Sequence, residues 1–99
     1  MKCEIDIITD RKKRWTIKEM LSREGIQIRE WFVEFTNEKS ILSFEVEKEE
    51  KDLLKNLFEL LRQDETGSRI ILPNGRRVNP TREEFERFYQ LVCEYIVKE

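Results

Sequence analysis

The chain has 99 residues, 38% apolar and 40% charged, with 19 Lys and Arg against 21 Asp and Glu and a net charge of -2. That length suits one thin two-layer domain, and the near-neutral balance excludes a dedicated DNA-coating protein. The absence of His excludes imidazole-based catalysis and metal ligation, and Cys3 and Cys93 lie too far apart in sequence for a CxxC knuckle or redox pair.

Cys3, Ile5 and Ile7 alternate with Lys2, Glu4 and Asp6, the period of a half-buried strand. Asp10 to Arg14 is a charged loop. Thr16 with Glu19 reads as a capping box, with Ile17, Met20 and Leu21 on one helical face. Trp15 is expected to fold onto the core ahead of Thr16. Gly25 supplies the left-handed position that stops the helix.

Residues 26–36 and 40–47 read as a hairpin. Trp31, Val33 and Phe35 share one parity; Leu42, Phe44 and Val46 share the other. Facing both sets to one core predicts Phe35 opposite Leu42, Val33 opposite Phe44 and Trp31 opposite Val46, with a tight turn at Glu38-Lys39. Ile26 and Ile28 have the opposite parity to Trp31, which predicts a bulge near Arg29–Glu30.

Lys48 to Gln63 is the clearest helix, with Leu53, Leu54, Leu57, Phe58, Leu60 and Leu61 as its apolar stripe; Thr66-Gly67 follows as its stop. Ile70 to Leu72 reads as a short strand, Pro73-Asn74-Gly75 as a turn, and Arg76 to Val78 as a return strand. Asn79-Pro80-Thr81 opens a last helix, with Thr81 and Glu84 as a capping box. Phe85, Phe88, Tyr89, Val92, Cys93 and Ile96 form its apolar side.

This order predicts an α+β fold. The first six elements follow the ferredoxin-like βαββαβ plan, an antiparallel sheet with two helices on one face. A C-terminal β-hairpin strand and helix are added. One domain, 1–99, is expected, with a core over 1–72 and an extension over 73–99. The N-terminus shows no secretory h-region and no apolar run approaches a membrane span. A cytoplasmic protein with two reduced thiols is the expectation.

Residues 4–72 resemble an ACT domain. The resemblance rests on Ile7-Ile8-Thr9-Asp10-Arg11 and on Leu21-Ser22-Arg23-Glu24-Gly25-Ile26-Gln27-Ile28, followed by the hairpin and the leucine-rich helix. It implies a small regulatory module that senses an amino-acid-like ligand. Asp10, Arg11 and Lys12 would hold that ligand, with Gln27 and Ile28 lining the other side. The chain departs from the family at Lys12, where a Gly is common. A weaker resemblance to Cas2-like proteins rests on the Asp after the first strand and the Gly before the second. It implies a Mg²⁺-dependent nuclease centred on Asp6 or Asp10.

Parity assigns Glu4, Asp6, Glu30, Phe32, Glu34, Thr36, Ile41, Ser43, Glu45 and Glu47 to the outward face of the sheet. That face is acidic with an apolar spot at Phe32 and Ile41. Arg11 to Arg14 and Arg76-Arg77, with Arg69 and Arg82 nearby, are the basic clusters. Such a mixed surface suits protein recognition better than nonspecific DNA binding. The expected function is therefore a non-catalytic regulatory or protein-interaction module, acting as a homodimer or on another protein, without metal or cofactor. Its contact residues would be Phe32, Glu34, Ile41, Glu45, Arg76 and Arg77. The alternative is a nucleic-acid-associated protein using residues 11–14 and 76–77.

Overall fold

Alternation along Lys2–Asp10 produces β1, which buries Cys3, Ile5, Ile7 and Thr9 on one face. The structure is a computed structural model, and it describes residues 2–32, 39–47, 49–63 and 68–98. After β1 come α1 (Arg14–Arg23), β2 (Arg29–Phe32), β3 (Lys39–Glu47) and α2 (Lys51–Arg62). Then follow β4 (Arg69–Ile71), β5 (Arg77–Val78) and α3 (Phe85–Lys98). The strands form one five-stranded sheet in the order β2-β3-β1-β4-β5, with every pairing antiparallel. The architecture is α+β. One continuous core joins Ile5, Ile7, Leu42, Phe44 and Ile70 of the sheet to Ile17 and Leu21 of α1, Leu54 to Leu61 of α2, and Phe85, Phe88 and Val92 of α3. The three described helices therefore lie on the same side of the sheet, and no described element covers its other, open side.

β3 pairs with β1 over its whole length, from Lys2 opposite Glu47 to Asp10 opposite Lys39. Its even-numbered residues Leu42, Phe44 and Val46 face the helices, as the sequence predicts. β2 does not follow the predicted register. Arg29 lies opposite Ser43, Glu30 opposite Leu42, Trp31 opposite Ile41 and Phe32 opposite Ser40. The pairing runs unbroken across Arg29–Glu30, so the expected bulge is absent from these residues. The reason is upstream: Ile26 and Ile28 pack against the core, and strand alternation carries their parity forward to Glu30. Trp31 is thereby turned out and is 56% exposed, while Glu30, expected outward, faces α1. Lys39, read as a turn residue, opens β3. Val33 to Glu38 and Thr66-Gly67 lie outside the described residues.

α1 starts earlier than its predicted capping box. The Lys12 amide donates to Asp10 Oδ1 at 3.0 Å and the Lys13 amide to the Asp10 carbonyl at 2.9 Å. This turn swings the chain into a helix that begins at Arg14, so Thr16 lies inside the first turn and no side chain caps it among the described residues. Glu19 instead pairs with Arg23 at 2.7 Å. Trp15 does not staple the core; it is 62% exposed. The end of α1 is as predicted. Gly25, at φ 76°, lets its own amide reach the Ser22 carbonyl at 3.0 Å and the Ile26 amide reach Leu21 at 3.1 Å, the paired bonds of a Schellman stop.

The β4–β5 turn also forms as read, with Gly75 at φ 83° and the Gly75 amide bonded to the Leu72 carbonyl at 2.8 Å. α3 starts at Phe85, later than expected, because Asn79 caps the preceding turn rather than Thr81. Asn79 Oδ1 accepts from the Thr81 amide at 3.1 Å and its hydroxyl at 2.7 Å, and Glu83 Oε2 accepts from the Asn79 amide at 3.0 Å. α3 packs within the chain. Phe58 of α2 packs against both Phe85 and Phe88, with ring centroids 5.8 Å and 5.4 Å away, and those two rings touch each other at 6.2 Å. Cys3 and Cys93 are not joined by a disulfide; Cys3 is buried and Cys93 half-buried.

Phe58→Ala empties the contact that ties α3 to α2. A loss of about 3–5 kcal/mol is expected in urea unfolding; a loss below about 1 kcal/mol would show that α3 is not part of the cooperative unit.

Candidate functional site

The open side of the sheet is built by the residues that β3 turns away from the helices. Because directly opposed residues in antiparallel strands share a face, the registers line up its rows. Trp31, Ile41, Ile8 and Arg69 form one row across β2, β3, β1 and β4. Arg29, Ser43, Asp6, Ile71 and Arg77 form the next, extending onto β5. Glu45 and Glu4 stand opposite each other beyond that. Ile41 and Ile8, in the Trp31 row, and Ile71 in the next are half-buried. Ser43 is 4% exposed and forms a flat floor between Arg29 and Asp6.

The charges on this face are unevenly satisfied. Arg29 Nη2 pairs with Glu4 Oε1 at 2.8 Å, which offsets the like charge of Glu45 opposite Glu4. Asp6 Oδ1 is shut off from solvent and accepts no hydrogen bond among the described residues. The face thus combines one large exposed aromatic, three isoleucines, an Arg–Glu pair and an under-satisfied carboxylate.

The opposite side of β2 carries a tight ionic node. Glu30 Oε2 accepts from Lys18 Nζ at 3.0 Å, and its Oε1 accepts from the Ser40 hydroxyl at 3.1 Å and lies 3.2 Å from Arg14 Nε. Burial pushes the Glu30 carboxyl up, but the bonds from Lys18 and Ser40 and the charges of Lys18 and Arg14 outweigh it and hold it below the usual 4.5. Arg14 and Lys18 also flank the Trp15 ring, 4.9 Å and 5.0 Å from its centroid. The node fastens α1 to the edge strand.

Of the residues singled out in the sequence, Ile41 and Glu45 lie on the open face and Arg77 joins it from β5. Arg76 is exposed in the β4–β5 turn. The side chain of Phe32, and Glu34, lie outside what is described. Asp10, Arg11 and Lys12 form the turn at the end of β1. Gln27 and Ile28 precede Arg29, which stands level with Asp6, so the two sets lie at least about 13 Å apart along the strands and do not converge. Arg77 is also level with Asp6, so the basic turn and the 11–14 loop sit toward opposite ends of the sheet. No group of three acidic or cysteine side chains among the described residues is placed to hold a metal ion. Trp31 was missed; the apolar pair Ile26 and Ile28 is the signal that would have found it. No described helix is long and apolar enough to cross a membrane. No family model, curated protein or solved structure matches the chain.

Glu30 predicts an acid limb of stability. Its folded carboxyl titrates below 4.5, so its stabilisation is complete above that pH and is lost as pH falls through the lower folded value. Urea midpoints measured downward from about pH 5 should fall more steeply for the wild type than for Glu30→Gln. Superimposable acid limbs would contradict the node.

Proposed function

We propose that this chain is a non-catalytic protein-interaction module of the regulatory, ACT-like kind, and that it docks through the open face of its sheet. The observation that carries this is Trp31, more than half exposed in a row with Ile41 and Ile8 on the side that no described helix covers. Trp and Arg are the residue types that dominate binding energy at the centres of interfaces, and here Trp31 and Arg29 are neighbours on one strand face. A surrounding rim of Glu4, Glu45, Arg69 and Arg77 supplies charge for orientation and selectivity. The ferredoxin-like reading of the first six elements is supported by the order β2-β3-β1-β4 with antiparallel neighbours and by α1 and α2 sharing one side. β5 and α3 then extend that plan at the β4 edge.

A second reading, contact with nucleic acid, is favoured by Trp15. It is 62% exposed, stands beside Arg14 and Lys18, and closes the basic run Arg11 to Arg14. An aromatic among cations is suited to stacking a base beside a phosphate chain.

Two variants separate these readings. Trp31→Lys should abolish protein association while leaving stability within about 0.5 kcal/mol, because the side chain is outside the core. Unchanged association would remove the docking reading. Single-stranded DNA binding that weakens with salt and is lost in Trp15→Ala would favour the second reading instead.

A further inference from the structure

We infer that the occupant of the open face is a second copy of this chain, stacked face to face about a two-fold axis running along β3; this rests on the reading of that face as a docking surface. The argument is a symmetry in how the face is filled. In one row, β2, β3 and β1 carry Trp31, Ile41 and Ile8; in the next they carry Arg29, Ser43 and Asp6. Each row is complementary to its own reverse. A two-fold axis along β3 exchanges the β1 and β2 positions of the two chains. It sets Trp31 of each copy against Ile8 of the other, and Arg29 of each against Asp6 of the other. Ile41 and Ser43 then meet their own copies.

Asp6 and Arg29 supply the charge complementarity of the stack. Asp6 is half-buried on this face, and a carboxylate there gains from a cation brought opposite it. Arg29 commits Nη2 to Glu4 and retains further N–H groups of its guanidinium for the second copy. Ser43, small and buried, lets the sheets approach to the ordinary spacing of about 10 Å.

Other axes are worse. Reversal about β1 sets Arg29 against Arg77 and Asp6 against itself, since these stand in one row across the sheet. An axis across the strands sets Asp6 against itself or against Ile8. The β3 axis sets like charges together toward both ends of the strand, Lys39, Glu45 and Glu47 each against its own copy, and leaves Arg69 and Arg77 outside the overlap. Removing the Glu45 charge should therefore tighten the dimer.

Sedimentation equilibrium of the full chain between about 5 and 200 µM tests this. The wild type should be dimeric within that range. Asp6→Arg and Arg29→Asp should each weaken the dimer by about tenfold or more, the double exchange should restore it to within about threefold, and Glu45→Gln should tighten it. A wild type that stays monomeric, or a double exchange that restores nothing, overturns the two-fold stack. If the wild-type dimer is lost in Trp31→Lys yet the double exchange fails, the face is still a docking surface and only the proposed axis is wrong. A dimer indifferent to Trp31→Lys removes the docking surface itself.

Discussion

The alignment of β2 on β3 decides what this molecule presents to its surroundings. Strand side chains alternate with a period of two, so a shift of one residue exchanges the two faces. With Trp31 opposite Ile41, the indole stands in solvent and Glu30 reaches the helices. The alternative alignment would bury the indole and leave Arg14 and Lys18 of α1 without Glu30, their carboxylate partner. Two forces hold the observed alignment. Ile26 and Ile28 pack into the core just before the strand, and Glu30 closes an ionic node under it. Neither force acts on Trp31, so its exposure is a consequence of what its neighbours require.

The rest of the architecture makes that exposure consequential. Three helices use up one side of the sheet, with the Phe58, Phe85 and Phe88 cluster drawing α3 in beside α2. The other side receives no covering element among the described residues. A domain of this size has little apolar surface to spare, and leaving a tryptophan and three isoleucines partly wet on one face is a cost that the proposed association would recover. On that face Arg29 and Glu4 are paired within the chain, whereas Asp6 Oδ1 accepts no hydrogen bond among the described residues.

Much of the fold was legible in the residues. Cys3, Ile5 and Ile7 announced β1, the leucine stripe announced α2, and Gly25 and Gly75 marked their turns because each needs a positive φ. The helix starts were less legible. Asp10 and Asn79 perform the turn-forming work that pattern matching assigned to Thr16 and Thr81, because a short acceptor side chain can bond amides two residues on whether or not a helix begins there. The open face was read correctly on β1 and β3, where alternation is regular. It was misread on β2, where Ile26 and Ile28 compete with Trp31, Val33 and Phe35 for the core. Deciding that contest needs the ionic node at Glu30, and its partners Arg14 and Lys18 are too distant in sequence to be assigned to it by pattern.

Cross-strand NOEs measured on the isotope-labelled chain test this account most directly. The account requires backbone contacts linking Arg29 to Ser43 and Trp31 to Ile41. Contacts from Trp31 to Val46 would contradict it, because they would carry the indole into the core and leave the open face without its anchor.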